Sequence, residues 1–246
     1  MELSVAIDQG NSSAKISVFA GDEKVGSKRF ENLTLQELDE FLSNYSDVTC
    51  AVYSSVVGDD QSIIAHLENR IGKCYVLNHL LPMPLEIGYA TPATLGHDRI
   101  AAAVGAVHLC GKQNLLVVDL GTAITYDFVE NGKKYVGGNI APGLKLRFKG
   151  LADYCVALPK VNFEGDVPML GYDTPTAIRS GVVMGVVSEV AQMAEQLEKC
   201  YGKVKVVLTG GDCNLISDKL QDLDVEISDD LVTIGLNRIL QYNEQL

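Results

Sequence analysis

The sequence predicts an α/β protein of two related halves, each a β-sheet covered by helices, with a ligand cleft between them. Three observations predict it. Strand-like stretches of period two open the chain at residues 3–30 and return from Asn114 onward in the same order. Each set gives way to helical periodicity, which makes a helix-covered sheet rather than a sandwich. No low-complexity linker separates the halves, so they should share an interface, and such an interface is a natural place for a ligand. A chain of 246 residues, 47% hydrophobic and 21% charged, has room for this.

The first half begins with Leu3 to Ile7 as a strand, and Ile16, Val18 and Ala20 keep the period of a second. Between them Asp8 to Ser13 is a hairpin tip, where Gly10 allows a tight path with positive φ and Asn11, Ser12 and Ser13 bring short donors. Such a tip is either an ordinary Asn/Gly turn or a cradle for an anion. Thr34 and Glu37 form a capping box, with Leu33 and Leu38 as a hydrophobic staple, for a helix to about Asn44. Val48 to Tyr53 is a strand. Asp59 or Asp60 caps a helix whose Ile63, Ile64, Leu67 and Ile71 share one face and which ends at Gly72. After Pro82, Pro84 and Pro92 mark an extended connection, a small-residue helix starts near Asp98.

NLLVVDLGTAITYDFVENGKKYVGGNI repeats the opening pattern at an offset of 111 residues, pairing Asp8 with Asp119 and Gly10 with Gly121. A period of that length fits duplication of a whole domain, with boundaries at 1–112 and 113–246. Thr174 before Pro175 starts a long helix with Ile178, Val182, Val186, Val190, Met193 and Leu197 in one stripe. Val204 to Leu208 is a buried strand ending in Thr209, Gly210 and Gly211. Ser228, Asp229 and Asp230 open a last helix at about 228–243, which packs on the first or the second domain.

Charge and cysteines narrow the classes. A formal net charge of −12 disfavours nonspecific attraction to nucleic acid or an anionic membrane surface. The six cysteines form no C-x-x-C pair and have no closely spaced histidine, so reduced thiols in a cytoplasm are expected. The first residues lack a basic segment before an apolar run, and Ile100 to Gly111 is too short to span a bilayer.

Two Asp-x-Gly tips facing each other could hold a triphosphate, with backbone N–H and hydroxyl groups meeting oxygens and the aspartates reaching cations. No G-x-x-x-x-G-K-[ST] occurs, so the architecture is not of the Walker type. In TLGHDRIAAAVGA, Asp98 either favours a helix dipole or accepts a proton from a substrate hydroxyl, and Arg99 is either solvated or binds an anionic group. GGNIAPG, Gly137 to Gly143, suits a sharp strand-to-helix turn or close approach of backbone to a ligand. Thr174 is an N-cap that could also touch an anion.

Taken in order, DQGNSSAK, GHDR, DLGTAITYD, GGNIAPG, DTPTAIRSG and LTGGD resemble type III pantothenate kinases, members of the acetate and sugar kinase, heat-shock protein and actin superfamily. The likeness runs from Asp8 to Gly211. It implies two tandem ribonuclease H-like (actin-like ATPase) domains and ATP-dependent phosphorylation of pantothenate, the first step of coenzyme A biosynthesis. It also implies Mg2+ with the ATP, a monovalent cation (K+ or NH4+) and a homodimer with substrate near its interface. Carried onto this chain, Asp8, Gly10, Asn11, Ser12 and Lys15 match the first phosphate motif, with Asp8 near magnesium. Gly121 and Thr122 match the second phosphate loop, and Gly210 and Gly211 part of the adenosine pocket. Asp98 matches the proton acceptor, Asp119 the monovalent-cation ligand, and Tyr89, Gly96, His97, Arg99 and Thr174 the pantothenate contacts. Ser12 stands where threonine is common, and His97 where a small residue is frequent. The competing readings are a catalytically inactive nucleotide-binding regulator of the same fold, or another phosphotransferase or a phosphohydrolase of the superfamily.

Overall fold

The computed structural model describes residues 2–246. Along the chain run β1 (Leu3–Gln9), β2 (Ala14–Ala20), β3 (Glu23–Phe30), α1 (Leu35–Leu42), β4 (Val48–Ser55), α2 (Gln61–Ile71), β5 (Cys74–Val76), β6 (Glu86–Ile87) and α3 (His97–Cys110). There follow β7 (Asn114–Leu120), β8 (Ala123–Glu130), β9 (Lys134–Pro142), α4 (Leu144–Tyr154), α5 (Thr174–Tyr201), β10 (Val204–Thr209), β11 (Val225–Ile227) and α6 (Leu231–Glu244). These elements form two compact units. The first comprises Met1–Lys112, Gly132–Val136 and Asp230–Leu246, and the second comprises Gln113–Asn131 and Gly137–Asp229.

In the first unit the sheet order is β3-β2-β1-β4-β5, with β1, β2 and β3 antiparallel and β4 and β5 parallel to β1. Period two sorts the faces. Val5, Ile7, Ile16, Val18, Ala51 and Tyr53 point to one side and make a buried core with Leu38, Phe41 and Leu42 of α1 and Ile63, Ile64 and Leu67 of α2. The other side presents small residues, and there α6 lies on the sheet: Ser4 Oγ donates to Asn237 Oδ1 at 2.6 Å, and Ser17 Oγ to Thr233 Oγ1 at 3.2 Å. So the last helix packs on the first unit.

Capping follows the local sequence. Thr34 and Glu37 make the reciprocal bonds of a capping box, though α1 stops at Leu42, two residues short of expectation. Asp60, not Asp59, caps α2, accepting from the N–H groups of Ser62 and Ile63, and Gly72 ends that helix with φ 90°. α6 begins three residues later than expected and has no side-chain cap: the carboxylate of Asp230 is taken by Lys15 and Lys24.

The second sheet repeats that order as β9-β8-β7-β10-β11 and adds the two-residue β6 in parallel beyond β9, with β8 antiparallel and β10 parallel to β7. β11 adds in parallel to β10. Ile178, Val182, Val186 and Val190 of α5 are buried, while Met193 and Leu197 are only half-buried. Asn114, buried at the foot of β7, donates to Tyr201 O at 2.8 Å and accepts from Asn131 N at 2.9 Å, tying the end of α5 to the β8–β9 turn.

Helices α3 and α6 touch backbone to backbone through Gly105 and Gly235; a methyl at 235 would overlap the Ala101 carbonyl oxygen. Gly235→Ala is therefore expected to destabilise the protein by about 1–3 kcal/mol in urea unfolding. Gly181, exposed inside α5 with nothing within 4 Å of a built Cβ, is the contrast. There the same change should add about 0.5–1 kcal/mol. Equal effects at the two sites would contradict the packing described.

Candidate active site

The first Asp-x-Gly turn is closed by its own backbone. β1 and β2 pair from Leu3↔Ala20 to Gln9↔Ala14, and beyond that last pair Gly10 N donates to Ser13 O at 3.0 Å. Gly10 does not take the positive φ expected from sequence; a Cβ there would instead sit 3.3 Å from Ser13 O, so glycine serves close approach. Asn11 and Ser12 are exposed at the tip. Asp8 is half-buried one pair below it, beside Lys15 on β2 and Ser54 on β4.

Lys15 does not simply point at the turn. Its ammonium lies 2.7 Å from Asp230 Oδ1, and Lys24 bonds the other oxygen. Burial pushes the Asp230 carboxyl up, but the hydrogen bonds from Lys15 and Lys24 outweigh it and hold the group below its ordinary value. Any contact of Lys15 with a phosphate must share this carboxylate.

In the second unit, Asp119 closes β7 beside Thr209 of β10 and Thr125 of β8. The turn after it is one residue tighter than the first, Gly121 N donating to Ala123 O at 3.1 Å, and it leaves Thr122 exposed. Two more glycines crowd this spot. Gly210 has φ 92°, and a Cβ there would come 2.5 Å from Asp119 Oδ1 and 2.6 Å from Leu120 backbone. Gly143 N donates to Thr122 O at 3.0 Å, and a Cβ at 143 would be 2.5 Å from that oxygen. Asp119, Gly121, Thr122 and Gly210 are thus brought together, with Gly211 opening outward beside them.

The head of α3 holds the GHDR segment. Gly96 is the N-cap, and Asp98 turns back so that Oδ1 accepts from Arg99 N at 2.8 Å. A Cβ on residue 96 would lie 2.6 Å from that Oδ1, so glycine is what lets the carboxylate adopt this position. Arg99 is only 6% exposed, its guanidinium 5.9 Å from the centroid of the Tyr89 ring, and Tyr89 meets buried Tyr135 edge-on at 6.2 Å. Gly88 N donates to Tyr135 O at 2.8 Å and carries Tyr89 into place. Nδ1 of His97 is buried and makes no hydrogen bond among the described residues. An uncompensated polar atom of that kind suits a ligand contact. Tyr89, Gly96, His97, Asp98 and Arg99 therefore form one group.

Thr174 is exposed at the first position of α5, and the cap expected of it belongs to Asp173. Asp173 Oδ1 accepts from Thr176 N at 2.8 Å and from Thr176 Oγ1 at 2.6 Å. The correction has a simple cause: the β-region backbone that a cap requires falls at 173 (φ −146°, ψ 173°). A surface cavity of about 400 Å3 lies beside this helix start, lined in part by Lys160, Pro175 and Arg179.

Comparison with known proteins bears on this arrangement. Residues 4–196 match the family model for type III pantothenate kinase. The chain belongs to the type III pantothenate kinase family. A type III pantothenate kinase of Phocaeicola vulgatus is 40% identical, over 99% of this chain and 100% of its own. One from Bacteroides fragilis is 37% identical over 98% of each. Among solved structures, component A of the (R)-2-hydroxyglutaryl-CoA dehydratase of Acidaminococcus fermentans superposes with a TM-score of 0.59 at 16% identity, covering 100% of this chain and 99% of its own. That likeness concerns the fold alone, an α/β chain with two sheets in two compact units.

Sequence reading of this pantothenate kinase family member missed Asp230 and Asp173. Asp230 was read only as a helix opener, since nothing local marks its partnership with Lys15; Asp173 was overlooked although Asp-x-x-Thr is a recognisable cap pattern.

Gly121 and Gly211 can be tested without disturbing the fold: a Cβ at 121 would meet only Ala123 O at 3.5 Å and Asp119 Oδ1 at 3.8 Å, and one at 211 meets nothing within 4 Å. Ala at either position is expected to leave the unfolding temperature unchanged and weaken ATP binding by about tenfold, or about 1.4 kcal/mol. Unaltered affinity measured by calorimetry would remove these positions from the nucleotide site.

Asp230 predicts an acid limb. A carboxyl whose folded pKa is below its unfolded value of 3.8 stabilises the fold above that value. That contribution is lost as pH falls through the folded value, because the unfolded chain takes the proton first. Asp230→Asn should lower the unfolding temperature at neutral pH and flatten its decline between about pH 5 and pH 2. A decline as steep as the wild type's would show that another group dominates.

Proposed function

We infer that this chain catalyses ATP-dependent phosphorylation of pantothenate at its primary hydroxyl, opening coenzyme A biosynthesis. The observation that carries the reading is the match to type III pantothenate kinases along nearly the whole chain. The site geometry supports a division of labour within it.

Asp98 is the proton acceptor. Arg99 N–H holds Oδ1 and so fixes the plane of the carboxylate, leaving Oδ2 for the substrate hydroxyl. Arg99, buried against Tyr89, supplies a fixed positive charge for the pantothenate carboxylate or the transferring phosphoryl group, and the Gly96–His97 segment and Thr174 complete the substrate contacts. His97 offers its unpartnered Nδ1.

ATP is held by N–H and hydroxyl groups of Asn11 and Ser12 on one turn and of Thr122 on the other, while Gly10 and Gly121, whose own N–H groups close those turns, let phosphate come near, with Gly210 and Gly211 at the adenosine. Lys15 adds charge while still tethered to Asp230. Glycine at these places lets backbone come close to phosphate. A kinase of this kind uses a divalent cation with its ATP. Among the described residues no three His, Cys, Asp or Glu side chains gather into a metal cage. Single carboxylates at Asp8 and Asp119 instead fit ions that take their other ligands from phosphate and water. We assign Mg2+ to Asp8 and a monovalent cation, K+ or NH4+, to Asp119. When bound, the divalent ion neutralises charge on the phosphoryl group in transfer.

A homodimer is part of the proposal. Tyr154, Val156, Met169, Leu170 and Tyr172 are large apolar or aromatic side chains left exposed on one stretch of the second unit, a feature that marks interaction surfaces. No helix among the described residues is long and apolar enough to cross a membrane, and all six cysteines are free thiols, which suits the cytoplasm where ATP is made.

ATP consumption by purified protein, with and without pantothenate, in potassium and in sodium buffers, tests the whole reading. Turnover is expected only with pantothenate and mainly in potassium; none in potassium would sink it. Asp98→Asn should keep fold and ATP affinity while turnover falls by about 10²–10⁴. Near-wild-type turnover would take Asp98 out of the role of base.

A further inference from the structure

We propose that Arg147 and Glu189, on α4 and α5, are positioning residues for the nucleotide: they fix the strand-to-helix corner that props the Gly121–Thr122 turn. The proposal rests on that turn being a phosphate-binding one.

Arg147 makes three charge-assisted bonds in one plane. Its Nε donates to Pro142 O at 2.8 Å, Nη1 to Glu189 Oε1 at 2.6 Å, and Nη2 to Glu189 Oε2 at 2.7 Å. Glu189 Oε2 also accepts from the hydroxyl of buried Tyr126 at 2.8 Å. One carboxylate thus joins α4, α5, β8 and, through the guanidinium, the last residue of β9. The next residue after Pro142 is Gly143, whose N–H donates to Thr122 O at 3.0 Å and whose missing side chain lets the two backbones touch. The path runs from Glu189 through Arg147 and the Pro142 carbonyl to the Gly143 amide and Thr122.

Three features fit positioning rather than bulk stabilisation. First, the fork-to-fork geometry is directional, and lysine could not both pair with Glu189 and hold the Pro142 carbonyl. Second, the corner is tight where it meets the turn: a Cβ at 143 would come 2.3 Å from Gly121 O and 2.5 Å from Thr122 O, so a displaced Pro142–Gly143 step would press on that turn. Third, the charges are locked. The bond from Arg147 holds the Glu189 carboxyl below the usual carboxylate range, and burial together with Glu189 pushes the Tyr126 hydroxyl up, so it remains a donor.

Glu189→Gln and Arg147→Lys in the full chain, each compared with Gly121→Ala, test this. The readouts are ATP affinity by calorimetry, KM for ATP and for pantothenate, kcat, and unfolding temperature. Both variants should weaken ATP binding and raise KM for ATP about three- to tenfold, with KM for pantothenate within about twofold. The double variant should cost no more than the worse single, since both break one path. Unchanged ATP affinity in Glu189→Gln and Arg147→Lys, with Gly121→Ala impaired, overturns the positioning role and spares the phosphate turn. If Gly121→Ala binds ATP normally as well, both readings fail. A fall in unfolding temperature with parallel changes in both KM values marks the network as merely structural and also overturns the proposal.

Discussion

The constraint on which the first unit depends is the crossing of α3 and α6 at Gly105 and Gly235, where two helices meet with no side chain between them. Much hangs on that contact. α6 is registered on the sheet by Ser4, Ser17, Thr233 and Asn237, polar side chains that are buried and mutually satisfied. α3 is registered on α6, and the head of α3 is where Asp98 and Arg99 stand. Asp98 is thus referred to the same strands, β1 and β2, that carry Asp8 and the first turn. A methyl group at the crossing would shift it by the thickness of that group, which is enough to spoil a near-attack geometry.

For a chain of net charge −12, the proposed phosphate turns are built without a cluster of cations. Neither turn relies on a cluster of lysines. Each offers backbone N–H groups and short side chains at the end of a strand, held by one closing hydrogen bond at Gly10 or Gly121. Lys15, the one cation in the first motif, is shared with Lys24 around Asp230, so part of its charge is already compensated. Fixed dipoles then carry the burden, and their directions are set by the ladder behind them rather than by flexible side chains.

Most of the strands and helices were legible because their signals are local. Period two in β1, β2, β7 and β8, the Thr34–Glu37 box, the Asp60 cap and the Thr-Pro entry to α5 are written within a few residues of the structure they make. The internal repeat made the duplication of the opening strands readable, though not the order of the strands in each sheet. What escaped lies in pairs far apart in sequence. Lys15 with Asp230 and Arg147 with Glu189 have no local mark, and the two-residue β6 exists only because Lys134 and Tyr135 pair with it. Asp230 shows the cost of local reasoning: it precedes a helix and has the right side chain, yet its carboxylate is spent elsewhere. The same holds at Gly10, where the residue type was informative but the backbone angle it suggested was not adopted.

The path of the chain through its two units gives synthesis an unusual order. The first unit draws on residues up to Lys112, on Gly132–Val136 and finally on Asp230–Leu246. Domains generally fold as they leave the ribosome, N-terminal one first. Here the N-terminal sheet emerges with Ala6, Ser17 and their neighbours bare on one face, and the helix that covers them, α6, is made only after the second unit. Helix α3 has no partner for Gly105 until then. The first unit stays open on that face until α6 has been made, and a product cut short before Asp230 would lack the helix that closes it.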